Sequence, residues 1–486
     1  MAARTGKDYL SGLRDDRQVW LGDRTVSVLD EPAFQGSLRG MAGYFDWQHQ
    51  FADECLVDDP EKPGEKMSAS LIVPRSKEDL TRRHVGLERL ARYSNGLLGR
   101  TPDYVNVVLS GHVARKDIWD RGTDPVYHER LTRFHREVVE GDLSMTHTII
   151  HANIDKGSGD LAGMNADLTL RVVKRTENGV IVRGGKVLGT LAPFADELYV
   201  YPSAPVPSGA EQYALCFSVP MNTKGVITLC RDHFGTPADV ADAPFSSRFD
   251  EQDAFIIFDD VEVPYERLFV DGDLNVYNNI SQGVSPGNTI QQTAIRAMVK
   301  LEFAYDLCTQ IARVTNSDNR PDVAAMLGEI HTYMSLTRSA IVAAEAEAHH
   351  WGTSGAFFCN GSIASLRCVM PGWMTRVNQI IKALGSHNLL ATPSLAAFDN
   401  PTIGPMLEKY LPGANGMEAR DRARLMRMAW DFAGSALGSR LELYEMFYLG
   451  SAARGLQTDH MVAQRNGFGG QVKAFMQEAG IIGRDA

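Results

Sequence analysis

The stretch LGRTPDYVNVVLSG (98–111) sets a guanidinium (Arg100), a carboxylate (Asp103) and a phenol (Tyr104) within five residues between apolar flanks. These are group types that hold an anion or direct a proton. On spacing alone the stretch reads as a helix boundary. Pro102 suits a turn or a first helical position, and Asp103 suits a cap or a partner for Arg100. A second candidate is SMTHTIIHANIDK (144–156), with His147 and His151 four residues apart. On a helix that spacing could ligate a metal. The surrounding Thr and Ile residues instead predict an extended segment, where positions i and i+4 lie too far apart for one ion. No metal site is expected. Each histidine reads first as a structural residue, although an imidazole beside threonine hydroxyls also suits a general base or a phenol-binding donor.

Several chemistries are missing. No GxGxxG stands between a strand and a helix, and there is no GxxxxGK[ST] and no HExxH. KGSGDLAG (156–163) reads as a loop, and GSHN (385–388) lacks nucleophile-elbow context. Hydride transfer from a dinucleotide held in its own Rossmann domain is therefore not expected.

The elements that must position these residues fall into three parts. Residues 1–145 read as mainly helical, with SKEDLTRRHVGLERLARYSNGLLG (76–99) opened by a serine cap and a second helix over 127–142. Over 146–272 the pattern alternates. Asn178-Gly179 marks a hairpin within 166–190, and further strands are expected over 211–220, 225–230 and 253–264. This predicts an antiparallel β domain, a small barrel or sandwich. Residues 273–486 become helical again, with long apolar-striped segments over 289–315, 320–351, 366–386 and 417–450, as in a four-helix bundle. The fold class is α+β. No repeat, low-complexity tract or Pro-rich linker separates the parts.

The totals bound the partners. The 486 residues are 44% hydrophobic and 22% charged, with 60 acidic against 49 basic residues and a formal net charge of −11. That balance argues against a nucleic-acid binder but leaves room for local arginines to hold an anion. The six cysteines form no CxxC pair, so free thiols in a reducing compartment are expected rather than a zinc or disulfide framework. No signal peptide is visible, and no apolar run approaches ~18 uncharged residues. The expected setting is cytoplasmic, away from membranes.

GRTPDYVN (99–106), MTHTIIHANIDK (145–156), FSSRFDEQDAFIIFDDVEVPYERLF (245–269) and KYLPGANGMEARDRARLMRMAWDFAGSALGSRLELYEMFYLGS (409–451) occur in that order and spacing. Together they closely resemble the oxygenase components of the 4-hydroxyphenylacetate 3-monooxygenase family, over almost the whole chain. The resemblance implies an acyl-CoA dehydrogenase-like fold: an N-terminal helical domain, a middle antiparallel β-barrel domain and a C-terminal four-helix bundle. It implies a homotetramer whose C-terminal helices meet across subunits. It also implies FAD, supplied as FADH2 by a separate NAD(P)H-dependent flavin reductase, with O₂ as co-substrate and hydroxylation of a phenol ortho to its hydroxyl. The missing dinucleotide motif agrees with that division of labour.

Carried over residue by residue, Arg100, Tyr104 and His147 match the positions around the phenol oxygen and the flavin ring. Thr148 and Asn153, Ile154, Asp155 and Lys156 match the flavin-lining segment, and Thr190 matches a flavin-contacting threonine at a strand end. Ser203 falls in the variable loop that closes over substrate. Tyr448, Gly450 and Ser451 resemble the tail-side flavin contact near the subunit interface. The implied substrate is a para-substituted phenol, 4-hydroxyphenylacetate-like or tyrosine-like, free or carrier-bound. An alternative is a halophenol or nitrophenol monooxygenase that expels the substituent. The related FAD-dependent CoA-ester dehydratases need cysteine ligands for an iron–sulfur cluster, and residues 99–106 offer none.

Overall fold

The Ser76 hydroxyl accepts the backbone N–H of Asp79, whose carboxylate accepts the Ser76 N–H in return, so a reciprocal cap starts the helix where the sequence expects it. In this computed structural model, which describes residues 3–151, 168–235, 239–448 and 450–482, the helix is one of four long ones ahead of the β region. They are α1 (Gln35–Gln50), α2 (Lys77–Arg92), α3 (Pro102–Ala114) and α4 (Tyr127–Gly141). Every residue of α3 is buried. Its polar side chains find internal partners, Asn106 with Ser70, Ser110 with His135 and His112 with Tyr199, and Pro102 sits in its first turn.

The early region is not wholly helical. A short hairpin, β1 (Gln18–Leu21) and β2 (Arg24–Thr25), joins the β region through parallel pairing of Gln18 with Ile227. Four residues are too few to reveal a period of two, so nothing local announced this strand.

The β region contains β3 (Met145–His147), β4 (Ile150–His151), β5 (Arg171–Arg175), β6 (Gly179–Thr190), β7 (Glu197–Val200), β8 (Leu215–Pro220), β9 (Val226–Cys230), β10 (Asp253–Pro264) and β11 (Leu268–Asp271). The expected hairpin is present. Thr176 Oγ1 accepts the N–H groups of Asn178 and Gly179, and Arg175 pairs with Val180. The strands form two sheets rather than one closed antiparallel barrel. One has the order β2-β1-β9-β10-β6-β4, with β5 beside β6, and the other has the order β11-β8-β7-β3. Two pairings are parallel, β1 with β9 and β3 with β7. Register shifts between Ala254 and Ile256 and between Phe258 and Val261 bend β10. The inner faces of both sheets meet over Val180, Val182, Leu198, Phe217, Ile256 and Phe258.

Beyond the sheets lie α5 (Leu274–Val284), α6 (Thr289–Val314), α7 (Pro321–Ala346) and α8 (Leu366–Gly385). The segment expected as one long helix over 417–450 is two, α9 (Ala419–Ala433) and α10 (Ala436–Phe447). The break falls at Gly434-Ser435, where the Ser435 hydroxyl accepts the Gly438 N–H at 2.9 Å and starts a new helix. The bundle thus comprises α6, α7, α8 and the α9–α10 pair, packed around Ile311, Ile330, Ile380, Met426 and Leu437. Two tail helices follow, α11 (Ala452–Arg465) and α12 (Gln471–Glu478). Among the described residues, no helix is long and apolar enough to cross a membrane. All six cysteines are free.

A buried ion cluster fastens α10 to α6. Glu445 takes Arg296 at 2.7 Å and Lys300 at 2.8 Å, and Arg296 also donates to the Gly96 carbonyl. Burial alone would raise the Glu445 carboxyl, but the two cations overcome this and hold it far below the usual carboxylate range. Its contribution to stability is therefore present above its unfolded value of about 4.3 and is lost as the pH falls toward the folded one. Glu445→Gln leaves two buried cations without a counter-charge. It is expected to cost on the order of 3–5 kcal/mol, read as a lower denaturant midpoint at neutral pH.

Candidate active site

A cavity of about 420 Å³ opens where the start of α3, the ends of β3 and β6, α5 and the α10–α11 junction converge. The structure brings Arg100, Tyr104, His147, Thr190, Ser203, Tyr448, Gly450 and Ser451 to its wall. Thr148 is absent from that wall. It follows His147 on an extended segment, so its side chain takes the opposite face, where its hydroxyl donates to the Val187 carbonyl at 3.4 Å. Asn153, Ile154, Asp155, Lys156 and the expected loop at 156–163 lie outside the described residues.

The backbone of Arg100 is fixed from outside the helix. Glu251 Oε1 accepts the N–H of Gly99 at 2.7 Å and of Arg100 at 2.6 Å, while Arg440 clamps Glu251 Oε2 at 2.7 Å and Asp253 at 2.6 Å. Two tyrosine rings press on the same turn. A Cβ at Gly99 would stand 2.7 Å from the Tyr444 ring and 2.9 Å from that of Tyr448. The guanidinium of Arg100 lies over Tyr104, 3.8 Å from its ring centroid, and over Tyr448 at 4.1 Å. Among the described residues its side-chain hydrogen bonds run to the carbonyls of Gly99 and Tyr448, at 3.4 and 3.3 Å, and no described carboxylate pairs with it. The helix-boundary reading is right about Pro102, but Asp103 does not pair with Arg100. Asp103 accepts Tyr44 Oη at 3.0 Å and Gln292 Nε2 at 2.9 Å. Among the described residues Arg100 is thereby left without a carboxylate partner, over aromatic faces.

His147 and His151 sit in different sheets, one in β3 and the other in β4. Among the described residues, no group of His, Cys, Asp and Glu is placed to hold a metal. Nδ1 of His147 is 2.7 Å from Tyr201 Oη, and its ring stands edge-on to Tyr104 and Tyr201, at 5.4 and 5.3 Å. Burial, and then the nearby Arg100 charge, hold His147 well below the ordinary imidazole range, so it is neutral. His112, also on the wall, meets Tyr199 Oη at 2.7 Å and is pushed down to about 3 by burial.

Thr190 ends β6 with its hydroxyl donated to Asp253 at 2.8 Å and its carbonyl accepting Thr146 Oγ1. The Ser203 hydroxyl donates to the Ile149 carbonyl at 3.1 Å. Ser451 caps α11 by accepting the Arg454 N–H, after a turn at Gly450 with φ +85°. Sequence reading missed Tyr201 and Tyr444, and also Arg367 and Arg454 at the cavity's α11 side. A single tyrosine or arginine in an apolar helix or strand carries no local mark of a site, so only the fold brings these residues together.

The family description 4-hydroxyphenylacetate 3-hydroxylase, N terminal, matches residues 5–270, and its C-terminal counterpart matches residues 287–477. The chain belongs to the 4-hydroxyphenylacetate 3-hydroxylase family. It is 31% identical, over 98% of both chains, to the 4-hydroxyphenylacetate 3-monooxygenase oxygenase component of Thermus thermophilus. A 4-nitrophenol 2-monooxygenase oxygenase component from Rhodococcus is 30% identical over 92% of this chain and 86% of that one. The crystal structure of the oxygenase component HpaB complexed with FAD and 4-hydroxyphenylacetate superposes with a TM-score of 0.92 at 31% identity, covering 98% of this chain and 99% of that one.

In this family member the cavity suits a flavin by its own chemistry. Tyr444 Oη is buried on the wall with no hydrogen-bond partner among the described residues, and burial pushes its phenol well above the ordinary range. The faces of Tyr104, Tyr444 and Tyr448 surround the Arg100 cation, which no described carboxylate neutralises. At the α11 side, Arg367 and Arg454 stand beside the helix N-terminus that Ser451 caps, where a diphosphate is favoured. A planar, hydrogen-bonding, anionic group satisfies all three features.

Proposed function

We propose that this chain is the oxygenase component of a two-component flavin monooxygenase. It would add one oxygen atom ortho to the hydroxyl of a para-substituted phenol, 4-hydroxyphenylacetate-like or tyrosine-like, free or carrier-bound. Reduced FAD together with O₂ supplies an electrophilic oxygen atom at this site. The carrying observation is that Arg100, Tyr104 and His147 face one cavity with no described carboxylate neutralising the guanidinium.

The residues activate the ring and protect the reaction. A phenol becomes a strong carbon nucleophile as negative charge grows on its oxygen. Arg100 stabilises that charge, and Tyr104 and His147 add directed hydrogen bonds. Val108, Ile149, Ile280, Val284 and Ile290 supply the apolar wall that keeps water from the reacting atoms. Thr190, Tyr448, Gly450 and Ser451 would hold the flavin together with Arg100 and His147; the expected contacts at 153–156 lie outside the described residues. Ser203, in the loop after β7 and on the cavity wall, would contact the substrate.

Two partners accompany this reading. One is an NAD(P)H-dependent flavin reductase. The other is further copies of the same chain, arranged as a tetramer in the cytoplasm. The apolar residues Leu390, Phe468, Val472 and Phe475, each 65–78% exposed on the C-terminal helices and their connections, favour association there.

The test is a panel of phenols supplied with FAD, NADH and any flavin reductase, with products identified by mass. Catechol formed without loss of a substituent supports the reading. Halide or nitrite release from ring-substituted phenols, with no catechol from 4-hydroxyphenylacetate-like ones, replaces it with the dehalogenating or denitrating variant. Homogeneous chain with FAD but no reductase is expected to oxidise no NADH, because no dinucleotide fingerprint is present. Rapid loss of NADH absorbance in that control refutes the separate-reductase arrangement.

A further inference from the structure

Tyr201 lies one residue beyond β7, at the start of the loop that carries Ser203, and it is buried. Its Oη is 2.7 Å from Nδ1 of His147. That distance suits a hydroxyl donated to Nδ1 as acceptor, which is the direction the proposal below takes. A neutral imidazole carries one proton, so the proton sits on the other nitrogen. Nε2 of His147 has no hydrogen-bond partner among the described residues and is not one of the buried, unpaired atoms, so it opens onto the cavity that His147 lines.

We propose that Tyr201 is a positioning residue: its hydroxyl fixes His147 in the Nε2–H form, so the imidazole meets the substrate oxygen as a hydrogen-bond donor and not as a base. This rests on the phenol-hydroxylase reading above. In this arrangement Arg100 and Nε2–H stabilise the same developing charge from two sides. The two donors would repel a second proton, which agrees with the neutral state that burial and Arg100 impose on the ring.

The test is a cycle of wild type, Tyr201→Phe, His147→Asn and the double variant. Each is scored for single-turnover hydroxylation with prereduced FAD, for flavin affinity and for melting temperature. Tyr201→Phe is expected to lower hydroxylation about tenfold, the scale of one hydrogen bond, with flavin affinity unchanged. In the His147→Asn background the same substitution should remove nothing further, since its effect passes through the imidazole. Losses that multiply in the double variant, or a Tyr201→Phe enzyme that hydroxylates like wild type, overturn the proposal. If Tyr201→Phe fails to fold, nitrogen NMR of histidine-labelled wild type decides, with the His147 signal assigned by its absence in His147→Asn. Protonated Nε2 with bare Nδ1 supports the proposal, and the reverse overturns it. A wild type that hydroxylates no phenol in the same assay refutes the functional reading instead, and the NMR result then stands on its own.

Discussion

Arg100→Ala is expected to lower phenol hydroxylation by on the order of 10²–10³, the scale seen when one preorganised charge-stabilising group is removed. The guanidinium lies over Tyr104 and Tyr448 and is free of described carboxylates, so its charge is available to a ligand. Folding should change little. The turn is held by Glu251 through backbone N–H groups that alanine retains, and Arg440 keeps Glu251 in place. Arg100→Lys should recover only part of the loss, because a compact ammonium does not reproduce a planar cation stacked on rings. Catechol yield and melting temperature measured on the same preparation separate the roles. A variant that melts far earlier, while its folded fraction hydroxylates normally, makes Arg100 a structural residue.

His147→Asn is expected to lower coupled hydroxylation by on the order of 10²–10⁴, the range for losing a positioned proton donor or acceptor at a reacting oxygen. Asparagine keeps a hydrogen-bonding group of similar reach but neither the imidazole's second nitrogen nor its bond from Tyr201. Reduced flavin should still bind and consume O₂, since that reactivity belongs mainly to the cofactor. The variant should therefore drain NADH through the reductase and release hydrogen peroxide in place of catechol. A histidine that served only the core would instead lose stability with coupling intact. Peroxide and catechol measured in one assay distinguish these, and unchanged coupling in a well-folded variant removes His147 from the chemistry.

The fold was legible wherever local chemistry decided it. Ser76 with Asp79 announced a helix start, Asn178-Gly179 announced a hairpin, and the apolar stripe over 289–315 became α6, Thr289–Val314. Gly434-Ser435 carried a helix break in plain view, but the long apolar pattern around it masked the signal. The two-sheet arrangement was not legible. It depends on pairings such as Gln18 with Ile227, which join segments far apart in the chain. The candidate site divides in the same way. Pro102 marked the turn before Tyr104, whereas the fate of Asp103 depended on Tyr44 and Gln292, which are distant in sequence. Tyr201 and Tyr444 had no local signature, since a lone tyrosine among apolar neighbours reads as core. Their significance comes from facing His147 and Arg100 across a shared cavity.

The most direct measurement is a single turnover without any reductase. The chain is mixed anaerobically with prereduced FAD and a 4-hydroxyphenylacetate-like phenol, then exposed to isotopically labelled O₂. The expected product is a catechol carrying one labelled oxygen atom, formed in proportion to the flavin oxidised. Oxidised flavin accompanied by labelled hydrogen peroxide, with every phenol of the panel unchanged, would contradict the assignment.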